Sequence, residues 1–256
     1  RIILIAAPFF MSNYSFTAFA RNDNAPSIAM IASLAGSSFN ILFDYIFMFP
    51  LKMGFPGAAL ATALSPVVTI CVCSTHYFGK NCQVRFRSCR LSFRHLLSCC
   101  SLGFSAFVGE MSSAVITVVF NTLILGITGN IGVAAYGVIA NISYVVIAIY
   151  TGIAQGVQPL MSRAFGEGDM ALVRKNLHYA VWTIAGVSVF LYGVIFFFSE
   201  GITQIFNSEG NAELQAIAVT GLKLYFLAVF FAGTNISMAI YFPSTNRALP
   251  AHVISL

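Results

Sequence analysis

Residues 27–49 read S-I-A-M-I-A-S-L-A-G-S-S-F-N-I-L-F-D-Y-I-F-M-F, and this stretch decides the fold. A helix needs about 20 mostly apolar residues, at roughly 1.5 Å each, to cross a bilayer. The run is long enough, and one acid, Asp44, interrupts it. A carboxylate at that depth costs roughly 2.5–3.5 kcal/mol on insertion scales. Asn40 stands one helical turn earlier on the same face. Thr62 opens the next apolar run and brings a hydroxyl to a similar depth. A buried acid with two polar neighbours predicts a proton or small-cation site. The plainer alternative is that Asp44 only hydrogen-bonds a neighbouring helix.

The rest of the chain agrees with a membrane reading. Of its 256 residues, 58% are hydrophobic and 8% are charged, against about 25% charged in an average soluble domain. Mean hydropathy is +0.85. We read eight apolar segments, at about 1–20, 27–50, 57–79, 96–127, 131–158, 176–199, 213–242 and 249–256. The chain opens on Arg1 and closes inside an apolar run, so both ends read as cut. Pro8, Pro50, Pro56, Pro66 and Pro159 punctuate or kink the runs. Gly36, Gly57, Gly137, Gly152 and Gly156 are expected at close helix contacts. This composition predicts an all-α polytopic membrane protein.

Charge sets the orientation. Arg21, Lys80, Arg85, Arg87, Arg90, Arg94, Arg163, Arg174, Lys175 and Arg247 fall in alternate connections, ten of the thirteen basic residues. Arg1 and Lys52 fall on the other side, and Lys223 lies within a helix. The positive-inside rule therefore assigns the ten to the cytosol. The connection near 200–213, with Glu200, Glu209 and Glu213, faces outward. The net charge of +5 reports orientation and predicts no nucleic-acid partner. The basic connector at 80–95 marks a boundary between residues 1–79 and 96–256. Phe86, Leu91, Phe93 and Leu96 lay it along the membrane surface, or it is a solvated linker.

The chain also repeats itself. S-N-Y-S-F-T-A-F at 12–19 matches T-N-I-S-M-A-I-Y at 234–241, an offset of 222 positions. Asn13 pairs with Asn235, Ser15 with Ser237, Phe19 with Tyr241, Arg1 with Lys223 and Asn24 with Asn246. The first and seventh segments match, so the repeat unit is six helices and its copies run parallel. Two such halves would occupy roughly 445 residues.

Three stretches resemble the multidrug and toxic compound extrusion (MATE) transporters, in their bacterial and archaeal branch. They are A-R-N-D-N-A-P-S-I-A-M with F-N-I-L-F-D-Y-I-F at 20–47, G-F-S-A-F-V-G-E at 103–110, and G-I-A-Q-G-V-Q-P-L-M-S-R-A-F-G at 152–166. The resemblance implies a twelve-helix, two-lobe bundle. The chain would hold about helices four to eleven of it: 1–79 ends the N-terminal lobe, and 96–256 is most of the C-terminal lobe. It implies a cation site at Asn40, Asp44 and Thr62, completed by a helix-one acid that would precede Arg1. It places Glu110 at a helix-seven acid tied to coupling or to cationic substrate. By depth alone, Glu110 stands near mid-membrane, to pair a cationic drug, exchange a proton, or hydrogen-bond a neighbouring helix.

Other positions are weaker candidates. Gln155, Gln158, Asn121, Asn141 and Tyr136 either touch substrate or serve helix packing. Phe9, Met11, Tyr14, Phe107, Phe120 and Tyr144 line a cavity for flat cations or face lipid. Lys223 snorkels or couples, and His178 is interfacial. The F-G-E-G-D turn at 165–169 lacks the strand and Lys of a phosphate loop. The six cysteines, Cys71, Cys73, Cys82, Cys89, Cys99 and Cys100, form no C-x-x-C pair. No His completes a zinc spacing, so neither a metal nor a disulfide is predicted. The only metal ion expected is sodium, at Asp44.

The expected function is a monomeric antiporter in the bacterial plasma membrane. It exports lipophilic or cationic drugs against protons or sodium by rocking two lobes, with no cofactor and no enzymatic activity. The alternatives are a flippase for lipid-linked oligosaccharides, whose cavity needs several cations for phosphate, and a membrane-embedded enzyme. The four His, at 76, 95, 178 and 252, are too scattered for the enzyme.

Overall fold

The computed structural model describes residues 2–79, 82, 92–207, 210–246 and 250, with the side chains of Leu102 and Ser105 left aside. Every regular element among them is helical: α1 Ile2–Asn22, α2 Pro26–Met48, α3 Phe55–Tyr77, α4 Phe93–Gly166, α5 Met170–Phe206, α6 Ala212–Tyr225, a 3₁₀ turn Phe226–Ala228, and α7 Val229–Ser244. Six stretches are long and apolar enough to cross a membrane, and α4, with 74 residues, is long enough to do so twice. Large apolar side chains stay exposed along them, such as Leu4 and Ile5 at 77% each and Phe197 at 81%. Such a surface belongs in lipid, and the protein is an integral, multi-pass membrane protein.

Local chemistry sets the helix ends. Pro26 and Phe55-Pro56 begin α2 and α3, where the missing proline N–H costs nothing. Asp169 caps α5, its carboxylate accepting from Leu172 N at 2.9 Å, and Gly168 before it has φ +80°. Asn211 caps α6 by accepting from Glu213 N and Leu214 N.

The chain divides into two compact units, 1–90 and 91–256. In the first, α3 packs against both α1 and α2. Its buried apolar residues are small: Ala6, Ala20, Ala29, Ala32, Ala61, Ala63 and Cys73. Lipid is as apolar as a leucine core, so close backbone approach and hydrogen bonds hold the helices instead. Gly36 shows this, because a Cβ there would collide with Thr69 Oγ1 and come within 3.2 Å of Ser65 O. Ser65 Oγ donates across to Gly36 O at 2.9 Å. A Cβ on Gly57 would sit 2.9 Å from Phe47 Cβ.

The second unit packs α5, α6 and α7 against α4 around larger side chains: Ile139, Val146, Tyr150, Ile184, Ile195, Leu222, Phe226 and Val229. Gly221 and Gly233 provide its close approaches, to Ile139 and to Ile184 with Tyr150. Gly137, Gly152 and Gly156 do not, since a Cβ on any of them meets nothing within 4 Å. The expected close contacts at these three are corrected accordingly.

Two boundaries differ from the sequence reading. The fourth and fifth segments are the two helical arms of α4, which meet at a sharp non-helical break at Gly129 (φ 65°, ψ −155°), a conformation open to glycine. The outward connection is shorter than expected, because α5 continues through Glu200 to Phe206 with no proline to stop it. The seventh segment tightens into the 3₁₀ turn Phe226–Ala228, just past Lys223. Most of the 80–95 connector, Cys89, Glu209, Arg247 and nearly all of the eighth segment lie outside the described residues. At the near end of the connector, Phe93 and Leu96 are exposed in the first turns of α4.

Candidate functional site

Sequence places Asp44 and Asn40 on one face of α2, and the fold sets α3 against that face. Asn40 Nδ2 donates to Thr62 Oγ1 at 3.3 Å, joining the two helices at the depth of the acid. Asp44 is half-buried, and its Oδ1 is enclosed without a hydrogen-bond partner. An enclosed carboxylate oxygen with nothing donating to it is costly. A proton or a small hard cation, for which carboxylate, amide and hydroxyl oxygens are suitable donors, would relieve that cost. Of the three residues singled out in the sequence, Asn40 and Thr62 touch directly, and Asp44 lies one turn along α2 from Asn40. Asn13, midway along α1, presents a second enclosed oxygen without a partner, Oδ1. The sequence reading noticed Asn13 only as part of the repeat.

The remaining candidates are dispersed over α4. Glu110 is exposed on its first arm. Asn121 Nδ2 donates to Thr117 O at 2.9 Å and Asn141 Nδ2 to Gly137 O at 2.8 Å. Both amides therefore fold back on their own helix, and neither makes the cross-helix bond that packing would require. Tyr136 stacks on Phe120 with centroids 6.0 Å apart. Gln155 and Gln158 are half-buried near the far end of α4. Lys223 Nζ sits 5.2 Å from the centroid of the Phe196 ring, a cation–π contact that offsets part of its burial. His178 is exposed and packs edge-on to Trp182. Phe9, Met11, Tyr14, Phe107, Phe120 and Tyr144 are exposed.

A different polar pair is better enclosed than any of these. His76 Nε2 lies 2.8 Å from Asp23 Oδ2, with 7% and 3% of the two side chains exposed. It ties the α1–α2 turn to the last turn of α3. The only sequence signal for it is that Asp23 and His76 each stand at the Arg21-bearing end of an apolar run.

The MatE family model matches residues 102–256. The multidrug export protein MepA of Staphylococcus saprophyticus is 26% identical over 258 residues, which is 100% of this chain and 56% of MepA. MepA of Staphylococcus aureus is 30% identical over 261 residues, with the same coverage. The chain spans about half the length of the curated relatives it matches. Among solved structures, MATE in complex with MaL6 superposes with a TM-score of 0.90 at 20% identity, over 100% of this chain and 58% of that one. The outward-facing conformation of a multidrug resistance MATE family transporter gives 0.88 at 20% identity, over 100% and 57%. A MOP superfamily transporter from Pyrococcus furiosus gives 0.90 at 21%, over 100% and 57%. These likenesses establish the helical transporter fold.

Proposed function

The chain belongs to the MatE family, and from that premise we propose that it acts in a secondary antiporter that exports lipophilic or cationic drugs in exchange for protons or sodium. One observation carries the reading: Asp44 holds an enclosed, unpartnered oxygen one turn from an Asn40–Thr62 bond that joins α2 to α3. Ion entry at Asp44 removes an unpaired charge from a low-dielectric site. Whichever arrangement of α2 and α3 holds the ion better gains population, and only by that difference in affinity. Cargo that favours the other arrangement is then driven by the ion gradient. Glu110, the second acid that the sequence sets deep in an apolar segment, is the proposed partner for a cationic substrate, with Gln155, Gln158 and Tyr136 as weaker contacts.

A flippase for lipid-linked sugars would need several deep cations for phosphate. Among the described residues of the apolar helices, Lys223 is the deep cation, and it faces an aromatic ring. Export of a fluorescent lipophilic cation should be measured from proteoliposomes holding the protein, under an imposed pH gradient and, separately, a sodium gradient. Export under one gradient that is abolished by collapsing it supports the reading. Export indifferent to both gradients would overturn it.

A further inference from the structure

At the Arg21-bearing end of the first unit, three metal-ligating side chains converge from separate stretches. Asp23 stands in the α1–α2 turn, His76 in the last turn of α3, and Cys82 shortly beyond that helix. One donor atom from each lies within 4.8 Å of the other two. We propose that Asp23, His76 and Cys82 form a three-ligand site for a borderline divalent cation, with zinc the best fit.

The donor set selects the ion. Thiolate, imidazole and carboxylate together suit zinc, whereas magnesium and calcium take oxygen donors. Three protein ligands leave a fourth position for water. A neutral imidazole with one thiolate and one carboxylate balances the two positive charges of the ion. A neutral cluster is the least costly form in which to enclose charge beside a membrane. Among the described residues, Arg21, Tyr77 and Cys73 are the other titratable groups that interact at this end. Of these Arg21 opposes a cation, and the two anionic ligands outweigh it.

Geometry allows the change. Tetrahedral zinc with bonds of about 2.0–2.3 Å sets its donors roughly 3.3–3.7 Å apart. His76 Nε2 and Asp23 Oδ2, now 2.8 Å apart, must separate by about half an ångström, and the sulfur, within 4.8 Å of both, must move in by no more than roughly 1.5 Å. Cys82 is half-exposed, which leaves it room to turn. The framework around the ligands is held firmly. Asp23 N donates to Phe19 O at 2.9 Å. Tyr77 Oη donates to Phe16 O at 3.4 Å, and the two rings meet edge to face at 5.4 Å. Bound zinc would clip Cys82, beyond the end of α3, onto the turn between α1 and α2. The positions 23, 76 and 82 match no linear zinc pattern, so only the fold reveals them.

The full chain, purified in detergent and stripped with chelator, should be titrated with cobalt(II) as a spectroscopic stand-in and then with zinc. We expect one cobalt per chain, a thiolate-to-cobalt charge-transfer band, and displacement by zinc. The band should vanish in Cys82→Ser, whose half-exposed position makes misfolding a minor concern. It should persist when Cys71, Cys73, Cys89, Cys99 and Cys100 are replaced together. Affinity should fall at least tenfold in His76→Gln and in Asp23→Asn. Absence of a thiolate band in the unaltered chain, or a band undiminished in Cys82→Ser, would overturn the proposal.

Discussion

Asn24 and Asn246, 222 positions apart, hold the same left-handed backbone, with φ of 58° and 55°. Each closes the helix that precedes it, α1 or α7, and the neighbouring bonds match as well. Ser15 Oγ donates to Met11 O at 3.2 Å, and Ser237 Oγ to Gly233 O at 3.1 Å. Asp23 N bonds Phe19 O at 2.9 Å, and Thr245 N bonds Tyr241 O at 3.1 Å. The internal repeat seen in the sequence is therefore repeated in backbone conformation.

A left-handed residue without glycine's freedom costs roughly 1–2 kcal/mol, and Asn is among the few side chains that tolerate it. Asn24→Ala and Asn246→Ala should each lower stability by about 1 kcal/mol, while the Gly variants should be neutral or slightly stabilising. Thermal unfolding in detergent measures both. Ala variants as stable as their Gly counterparts would contradict the shared turn.

Asp44 supplies a prediction in which stability and activity diverge. Asp44→Asn keeps the side chain's shape and removes an unpartnered buried charge, so stability should hold or rise by up to about 2 kcal/mol. Ion-driven export should nevertheless fall at least tenfold. Thr62→Val, which deprives Asn40 of its acceptor, should cost about 1 kcal/mol. Undiminished export by Asp44→Asn would remove this residue from the coupling site.

Two glycines should respond in opposite directions. Gly36→Ala puts a methyl group into Thr69 Oγ1 at the α2–α3 crossing and should cost about 1–3 kcal/mol. Most of that loss should be recovered in the Gly36→Ala, Thr69→Ala double variant, a coupling that a double-mutant cycle reads directly. Gly137→Ala meets open space and should stabilise its helix by about 0.5–1 kcal/mol. Equal effects at the two positions would show that the crossing is looser than described.

What the sequence disclosed and what it hid divide along physical lines. Apolar runs and their Pro, Asn and Gly punctuation are local signals, so α1, α2 and α3 are legible within a few residues. The tightness of the junction between the two arms of α4 is not, because one glycine at 129 is equally compatible with a longer loop and with the sharp break found there. Asn40 and Thr62 are legible as a pair because Asp44 draws attention to their depth. Asn121 and Asn141 are not, because an amide in an apolar helix can turn outward or bond its own carbonyl four residues back. The Asp23–His76 pair lies 53 positions apart and depends on how α1 packs on α3, which no spacing rule expresses.

Tyr150 and Ser188 carry the last prediction. Both are fully buried in the second unit, and their oxygens are 2.6 Å apart. The Ser188 hydroxyl already donates to Ile184 O at 2.7 Å, so Tyr150 must be the donor between them. The two truncations are then unequal. Tyr150→Phe removes a donor and leaves Ser188 still bonded to its carbonyl, costing about 1 kcal/mol. Ser188→Ala strands the phenol in an apolar core beside a methyl-sized space, costing about 1–3 kcal/mol. The double variant should recover part of the loss, because no buried donor is left over. Chemical denaturation of the three variants in mixed micelles gives the order. If Tyr150→Phe proved the more damaging single change, the proton would run the other way and Ser188 would be the donor to Tyr150.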